Sequence, residues 1–179
     1  QSETAELGFE YGTDDVTVRF NAYSTTFTDL IDFDPELFTN VNRTEVEFLG
    51  FSAHTDWQIN DTVLLRGSIN RQDNRTDEVP LRRRPDWFGD VQVFASLGNI
   101  EVSALLGYRG STLDSSIATG LKALDAQWRL NVNADWQITS STVLNLSIDN
   151  ALASSLEESI GFINDRPQVV IGLQYLFDS

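Results

Sequence analysis

The chain of 179 residues contains no cysteine and no methionine. Without cysteine it can form no disulfide, no thiolate metal site and no cysteine nucleophile. All of its apolar runs are shorter than the roughly 18–20 residues that a membrane-spanning helix needs, so a helical membrane protein is excluded. Because the chain starts without methionine and without a basic and apolar signal segment, we expect a processed protein, an excised piece or part of something longer.

Basic residues are scarce as well. The 12 lysines and arginines face 27 aspartates and glutamates, which gives a net charge of −15. Binding to nucleic acid requires a basic surface against the phosphates, so nucleic acid is excluded as a partner. The acidic balance is compatible with cation capture, although a solvated acidic surface is the favoured explanation. A mean hydropathy of −0.21 still permits membrane strands, because a barrel strand alternates apolar with polar residues.

What the chain does contain is a repeated strand pattern. The residues Asp-Trp-Gln-Ile occur at 56–59 and again at 135–138, and the likeness continues into the strand that follows. Each copy is an alternating strand, a tight polar turn and a second alternating strand, with Trp57 or Trp136 just before the turn. An aromatic residue at that place is typical of a strand that ends at a lipid interface.

Nine segments alternate apolar and polar residues with the period of two that indicates a β-strand. A change of phase near Gly50 in the third segment predicts a β-bulge there. The segments are about residues 4–11, 16–30, 41–59, 62–72, 86–97, 100–110, 126–137, 142–150 and 168–177.

Short and long connections alternate between these segments, and this sorting is typical of outer-membrane barrels with periplasmic turns and extracellular loops. The polar faces are rich in Asn, Gln, Arg and Asp, which suits a wet lumen better than the surface of a soluble barrel. We therefore predict an all-β fold, an antiparallel up-and-down transmembrane β-barrel, and keep a soluble ligand-binding barrel as the less favoured alternative. The long loops are about residues 31–40, 73–85, 111–123 and 151–167.

Aromatic residues collect at both ends of the predicted strands. Trp57, Trp136 and Phe177 lie at the short-turn end, while Trp87 and Tyr108 lie near the long-loop end. Tryptophan and tyrosine are enriched where a membrane protein meets the lipid headgroups. We predict that these five residues are membrane-interface aromatics in two girdles.

Several motifs in a fixed order resemble the C-terminal barrel of TonB-dependent outer-membrane receptors, and the nearest likeness is to the cobalamin and siderophore group. The resemblance covers essentially the whole chain, although two residues follow Phe177 where the family usually ends on the aromatic. The motifs are Thr-Asp-Leu-Ile-Asp-Phe-Asp at 28–34, Asn-Val-Asn-Arg-Thr-Glu-Val-Glu at 40–47, Pro-Leu-Arg-Arg-Arg-Pro at 80–85 and the strand 169–177.

The resemblance implies a 22-stranded barrel that is blocked by an N-terminal plug domain, and the plug contacts a TonB-type energy transducer. About nine strands alone would leave two unpaired edges in lipid, which is very costly. We therefore predict that residues 1–179 are the C-terminal part of such a barrel, with the remaining strands and the plug in another chain or removed. The expected location is the bacterial outer membrane, with outer-membrane lipid and lipopolysaccharide as neighbours.

The function implied by the resemblance is import of a scarce nutrient complex, such as a siderophore or cobalamin, with the long loops as the capture surface. The competing hypothesis is a small self-contained outer-membrane barrel with a structural or adhesive role. No Gly-x-Ser-x-Gly elbow accompanies the serines and the single histidine, so we expect no catalytic residue and no enzyme. His54 is expected to join a lumen hydrogen-bond network rather than a metal site, and we expect no cofactor.

Two groups of loop residues are candidates for ligand contact at the rim. Asp32 and Asp34 belong to an acidic stretch that also contains Asp29 and Glu36; it can be a calcium site, but it lacks the glycine and spacing of a dedicated calcium loop. A solvated acidic loop is therefore favoured. Arg82, Arg83 and Arg84, with Arg75 nearby, form the single basic cluster. They either bind lipopolysaccharide phosphates or an anionic ligand, or neutralise loop acids such as Asp77, Glu78 and Asp86.

Overall fold

The structure, a computed structural model, describes residues 1–34, 37, 39–75 and 81–177, without the side chains of Asp32, Arg43, Thr44 and Arg75. None of the described segments is a helix of the length and apolarity needed to cross a bilayer. The strands are β1 (Ser2–Gly12), β2 (Val16–Asp34), β3 (Thr39–Asn60), β4 (Val63–Arg75), β5 (Trp87–Leu97), β6 (Ile100–Arg109), β7 (Thr112–Ser116), β8 (Gly120–Leu124), β9 (Gln127–Thr139), β10 (Thr142–Asp149), β11 (Leu156–Ser159), β12 (Phe162–Asn164) and β13 (Gln168–Tyr175).

Nine of these strands form one antiparallel sheet in the order β1-β2-β3-β4-β5-β6-β9-β10-β13. Each strand pairs with the next main strand along the chain, so the sheet is up-and-down, as predicted. The remaining strands form two small hairpins, β7–β8 and β11–β12, which are inserted in long loops. Within the described residues β1 and β13 are the edges of the sheet, so this chain does not close a barrel by itself.

Side-chain alternation gives the sheet one polar and one apolar face. On the apolar side of β13, Val169, Ile171 and Leu173 are 58%, 70% and 69% exposed. Among the described residues the buried apolar ones all lie toward the long-loop end, and they are Val46, Phe48, Leu81, Leu124 and Leu156. A sheet that leaves a broad apolar face uncovered in this way is suited to lipid rather than to water.

The polar face carries a ladder of ion pairs across four strands. Arg19 Nε on β2 lies 3.0 Å from Glu10 Oε2 on β1, and Arg19 Nη1 lies 3.5 Å from Asp56 Oδ2 on β3. Arg66 Nε on β4 lies 3.0 Å from the other oxygen of Asp56. His54 is on the same face, opposite Arg19 and Ser68. Cross-strand pairs of opposite charge add a modest stabilisation to neighbouring strands.

The predicted β-bulge near Gly50 is wrong. β3 pairs with β2 and with β4 on either side of Gly50 without a shift in register. A Cβ atom at Gly50 would lie 2.6 Å from the hydroxyl of Tyr23 and 2.5 Å from the Arg71 carbonyl oxygen. The glycine is therefore required for close approach and not for an extra residue. The apolar phase changes because Val46 and Phe48 lie on the otherwise polar face, under a loop.

The long connections contain more strand than the sequence predicts. β2 and β3 remain paired to Asp34 and Thr39, so most of the predicted loop at 31–40 is a hairpin arm. The loops at 111–123 and 151–167 contain β7–β8 and β11–β12. The short turns are as predicted, and Gly98 adopts a left-handed φ of 67° in the turn between β5 and β6, which glycine allows without a steric penalty.

Candidate functional site

Three loop elements meet at the long-loop end of the sheet. They are the segment at 81–86 before β5, the hairpin β7–β8 and the hairpin β11–β12. We call the segment at 81–86 the rim segment, and the three elements together the loop cluster. The backbone amide of Arg83 donates to the Leu113 carbonyl oxygen at 2.7 Å, which attaches the rim segment to β7.

Asp114 of β7 lies at the centre of the loop cluster and is fully buried. Its Oδ1 accepts a hydrogen bond from Arg83 Nε at 3.0 Å and lies 3.5 Å from Arg82 Nη1. Its Oδ2 accepts from the Ser159 hydroxyl at 3.1 Å and from the Ile160 amide at 3.0 Å. One carboxylate thus connects the rim segment with both loop hairpins.

The hydrogen bonds also determine the acidity of Asp114. Burial by itself would raise the pKa of this carboxyl, but the hydrogen bonds from the Ile160 amide and from Arg83, with smaller ones, outweigh burial and lower the pKa from 3.8 to about 2. Hydrogen bonds to a carboxylate favour its charged form. Asp114 is therefore ionised at every physiological pH.

Arg82 extends the loop cluster toward the long hairpin β2–β3. Its Nη1 donates to Ser115 Oγ at 3.2 Å, and its guanidinium lies 4.3 Å from the ring centroid of Phe33 on β2. Arg83 has a left-handed φ of 57°, a conformation that is unfavourable for a residue with a Cβ atom. The hydrogen bond from its backbone amide to Leu113 and the hydrogen bonds from its side chain to Asp114 and Ser159 hold it in this conformation.

A small apolar cluster lies beneath the rim segment. Val46 and Phe48 of β3 pack with Leu81, and Phe27 and Leu30 of β2 pack against them. The rings of Phe27 and Phe48 meet edge to face with centroids 5.5 Å apart. The guanidinium of Arg84 lies 5.5 Å from the centroid of Phe48, a cation–π contact. The rim segment is thus held over the polar side of the sheet by apolar packing as well as by charge.

The remaining polar contacts fasten the hairpin β11–β12 to the end of the sheet. Gln127 Nε2 donates to the Glu157 carbonyl oxygen at 2.6 Å, and Arg129 Nη2 lies 3.1 Å from Glu158 Oε1. Buried Asn150 bonds to both the amide and the carbonyl of Ser154, at 3.2 and 2.9 Å. These bonds fix the direction in which the chain leaves β10.

The predicted rim residues fall into three groups. Arg82 and Arg83 are brought together by Asp114, whereas Arg84 is exposed and, among the described residues, makes no ion pair. Asp34 is nearly buried and accepts from the Leu37 amide at 2.9 Å, and Asp29 accepts from Asn42. The side chains of Asp32 and Arg75, and residues 36, 77 and 78, lie outside the described part of the chain. In the described residues no three His, Asp or Glu side chains converge as a metal site.

Asp114 is the important residue that sequence reasoning did not find. The sequence does signal that the three successive arginines need a counterion, but not that it comes from a loop more than 30 residues away. The clue was the alternation in Thr112-Leu113-Asp114-Ser115-Ser116, which is too short to stand out from a loop.

The geometry so far is an open nine-stranded sheet with a polar ladder on one face, an uncovered apolar face, and folded loops at one end. A family model for the TonB-dependent receptor-like β-barrel matches residues 1–151. The chain belongs to this family. Receptor barrels of this family lie in the outer membrane of Gram-negative bacteria, and so does this one. The family is one of receptors rather than of enzymes. No curated protein sequence matches the chain.

Solved receptor barrels share the fold of the whole chain at low sequence identity. The ferric-catecholate import receptor Fiu from K12 E. coli has a TM-score of 0.80 at 14% identity, over 98% of this chain and 27% of that one. The siderophore receptor PirA from Acinetobacter baumannii has a TM-score of 0.77 at 11% identity, over 98% and 32%. The ferripyoverdine receptor of Pseudomonas aeruginosa, bound to ferripyoverdine, has 0.78 at 10%, over 97% and 27%. The chain thus spans about a third or less of the length of these structures.

In the receptor barrel the predicted interface aromatics take up two levels on the apolar face. Trp57 pairs with Val16 and Leu65 near the short turns, and Trp136 holds the corresponding place four strands away. At the other end Trp87 starts β5, and the rings of Tyr108 and Trp128 lie 4.7 Å apart. Phe177 follows β13 and is 86% exposed. Their contact with lipid headgroups stays a prediction.

Proposed function

We propose that this chain is the C-terminal part of the barrel wall of a larger TonB-dependent receptor. The observation that carries the proposal is the open nine-stranded sheet, which overlies siderophore-receptor barrels over 98% of its own length. Its edges β1 and β13 are not paired with each other among the described residues, so their backbone groups require further strands in lipid. This disfavours the alternative of a small self-contained barrel, which would require the two edges to pair with each other.

The proposed cargo is an iron chelate of the siderophore type rather than cobalamin. The support is that the structures similar to this fold are described as a ferric-catecholate import receptor, a siderophore receptor and a ferripyoverdine receptor. Such chelates carry many oxygen acceptors, and those in which catecholates surround Fe³⁺ are anionic. Arg84, which is exposed at the rim and free of ion pairs among the described residues, is the arginine best placed to meet one.

The proposed partners are a plug domain and an energy transducer that acts through it. A cleft of about 480 Å³ opens on the polar face near the short turns, and its walls include Arg66, Glu101, Asn133 and Asp135. Leu64 and Phe94 also line this cleft, so it offers a plug both hydrogen-bonding groups and apolar contact. The cargo would bind at the rim, and the plug would control its passage along the polar face.

Uptake of a radiolabelled ferric siderophore by iron-starved cells tests the cargo. We expect uptake by cells that express the full-length protein containing this chain, and none after deletion of its gene or of the energy transducer. Arg84→Gln is expected to raise the half-saturating concentration roughly tenfold, as for one charged contact. Arg166→Gln is the matched control, because that arginine is 91% exposed at the same end of the sheet. Uptake of cobalamin but not of any ferric siderophore would overturn the cargo.

The size of the native species tests the architecture. An antibody against the exposed tip of β7–β8 is expected to detect, in unheated and heated outer-membrane samples, a species several times heavier than 20.1 kDa. Detection of a heat-modifiable barrel of only that mass would overturn the larger receptor and favour the self-contained barrel.

A further inference from the structure

Arg71 is a charged residue on the face of the sheet that meets lipid. It pairs with Phe51 on β3 and with Trp87 on β5, and Phe51 pairs in turn with Ala22 on β2. These residues form one row across four strands. Inside the row the rings of Phe51 and Trp87 meet edge to face at 5.7 Å, and the guanidinium of Arg71 lies 5.3 Å from the Trp87 ring centroid.

The row lies at the outer boundary of the membrane band. β5 begins at Trp87 and has 11 residues, so it is about 33 Å long. At the strand tilt of roughly 40° in membrane barrels it crosses about 25 Å, which is the height of the apolar band. Since the other end of β5 is at the short turns, Trp87 and Arg71 lie at the level of the extracellular headgroups. An arginine is tolerated on the lipid face at that level and not in the middle of the band.

The guanidinium of Arg71 takes no part in the ion-pair ladder of the sheet. Its side chain is exposed, and among the described residues no carboxylate lies within ion-pair distance of it. Asp73, two residues further along β4, is engaged in a contact of its own. The Trp87 ring covers one side of the guanidinium, and its N–H edges are left for a planar, bidentate contact with a phosphate.

An apolar cleft of about 340 Å³ opens beside the guanidinium on the same face. Its walls are formed by Phe20, Ala22, Leu49, Gly50 and Phe51, together with Arg71 and Asp73. Phe20 and Leu49 are 41% and 44% exposed. A cationic group at the headgroup level beside an apolar cleft is complementary to a lipid that combines a phosphate with an acyl chain.

We propose that Arg71, Phe51, Trp87 and this cleft bind lipopolysaccharide in the outer leaflet, with Arg71 on a phosphate of its lipid portion and one acyl chain in the cleft. Lipopolysaccharide is the occupant because the row is at the extracellular level of an outer-membrane barrel. This differs from the expectation that the arginines at 82–84 bind these phosphates, since Arg82 and Arg83 are bonded to Asp114. The site rests on the outer-membrane location and not on the cargo.

Native mass spectrometry of the full-length protein, purified from outer membranes in mild detergent, tests the site. We expect the wild-type protein to retain one lipopolysaccharide molecule that Arg71→Gln loses, with roughly a tenfold lower bound fraction at equal lipid concentration. Arg71→Lys keeps the charge without the bidentate contact and is expected to lie between the two. Arg66→Gln is the matched control, because Arg66 is on the same strand and also 5.3 Å from an aromatic centroid, but faces the polar side.

A second variant fills the cleft and leaves the arginine in place. Ala22→Leu is expected to reduce lipopolysaccharide retention as Arg71→Gln does. A heat-modifiability gel shows whether each variant folds, and Ala22→Leu still tests the site if Arg71→Gln does not fold. Equal retention by wild type, Arg71→Gln and Ala22→Leu would overturn the proposal. So would retention, dependent on Arg71, of a phospholipid instead of added lipopolysaccharide. Because neither readout involves uptake, loss of this site and failure of the transport proposal are separable.

Discussion

Asp56 and Asp114 are both aspartates held between two arginines, one on the polar face of the sheet and the other in the loop cluster. Asp56 is 40% exposed, and its partners Arg19 and Arg66 are both more than half exposed. Asp114 is 1% exposed, while Arg82 and Arg83 beside it are 22% and 53% exposed. The same pair of residue types thus occurs once with an exposed carboxylate and once with a buried one.

The difference shows that burial and extra hydrogen bonds, rather than the ion pair itself, decide how much such a cluster contributes. An exposed pair contributes between zero and about 1 kcal/mol, because water and salt screen it. A buried carboxylate must satisfy all of its lone pairs or lose stability, and Asp114 does so with two backbone or hydroxyl donors besides the arginines. The sheet would keep its register without Asp56, whereas the loop cluster depends on Asp114.

Removal of the buried carboxylate is expected to have the largest effect. Asp114→Ala should destabilise the folded loop cluster by about 3 kcal/mol, the lower end for a broken buried pair, because Arg83 can turn to water. Hydrogen exchange of the Ile160 and Arg83 amides in the full-length protein measures this as loss of protection. Asp125→Ala, on the exposed connection after β8, is the control. Unchanged exchange in Asp114→Ala would show that the loops pack without it.

Acid is expected to weaken the loop cluster by a smaller amount. The pKa of Asp114 is lowered to about 2 from 3.8, so its contribution is complete above about pH 4 and is lost as the pH falls through about 2. A shift of this size corresponds to about 2 kcal/mol. Exchange protection of the Ile160 amide, followed between pH 5 and pH 2 after correction for intrinsic exchange, is expected to fall only below pH 4. A midpoint above pH 4 would contradict the bonded, ionised state.

A single hydroxyl of the buried cluster is expected to contribute less again. Ser159 accepts from Arg83 Nη2 at 2.9 Å and donates to Asp114 at 3.1 Å. Ser159→Ala removes both bonds but leaves Asp114 with Arg83 and the Ile160 amide, so we expect a loss of about 1 kcal/mol. The same exchange measurement applies, with exposed Ser111→Ala as control. A loss as large as that of Asp114→Ala would mean that the hydroxyl, and not the carboxylate, organises the loops.

The exposed ladder is expected to be the least sensitive. Asp56→Asn should change the free energy of unfolding of the barrel by less than about 1 kcal/mol, because its arginines remain hydrated. The change should be smaller still at high salt, which screens exposed charges. Urea unfolding of the full-length protein in detergent micelles measures it. A double-mutant cycle with Arg66→Gln isolates the pair. A coupling energy of about 3 kcal/mol would place Asp56 in the same class as Asp114.

The sequence predicted the sheet well because a period of two is a local signal. β9 begins and ends within two residues of its predicted bounds, since every second side chain meets a different environment. The prediction was wrong at Gly50 because Val46 and Phe48 are apolar for a loop that packs on them, which the strand alone does not show. Apolar residues of one strand can therefore face opposite sides of the sheet, some toward lipid and others toward a loop that packs on them.

The loop cluster was only half predictable, for a related reason. The three successive arginines at 82–84 marked the rim segment, but the sequence did not show that Asp114 and Ser159 would meet there. Their contacts with Arg83 join residues 31 and 76 positions away, and no periodicity links such distances. Arg71 was visible in principle, because it lies two residues after Ile69 and so on the apolar side of β4, but its contact with Trp87 of the next strand was not.

The nearest-neighbour order of the sheet has a consequence for how the chain folds. Every main strand pairs with the next one along the sequence, and even the interrupted pairs β6–β9 and β10–β13 are separated only by a local hairpin. Closing short loops costs little chain entropy, so pairing can advance one strand at a time, as in proteins of low contact order. The bonds of Asp114 and Arg83 to Ser159 span far longer stretches of chain, so we expect them to form last. Formation of these hydrogen bonds would therefore mark the point at which the strands between the bonded residues have all assembled.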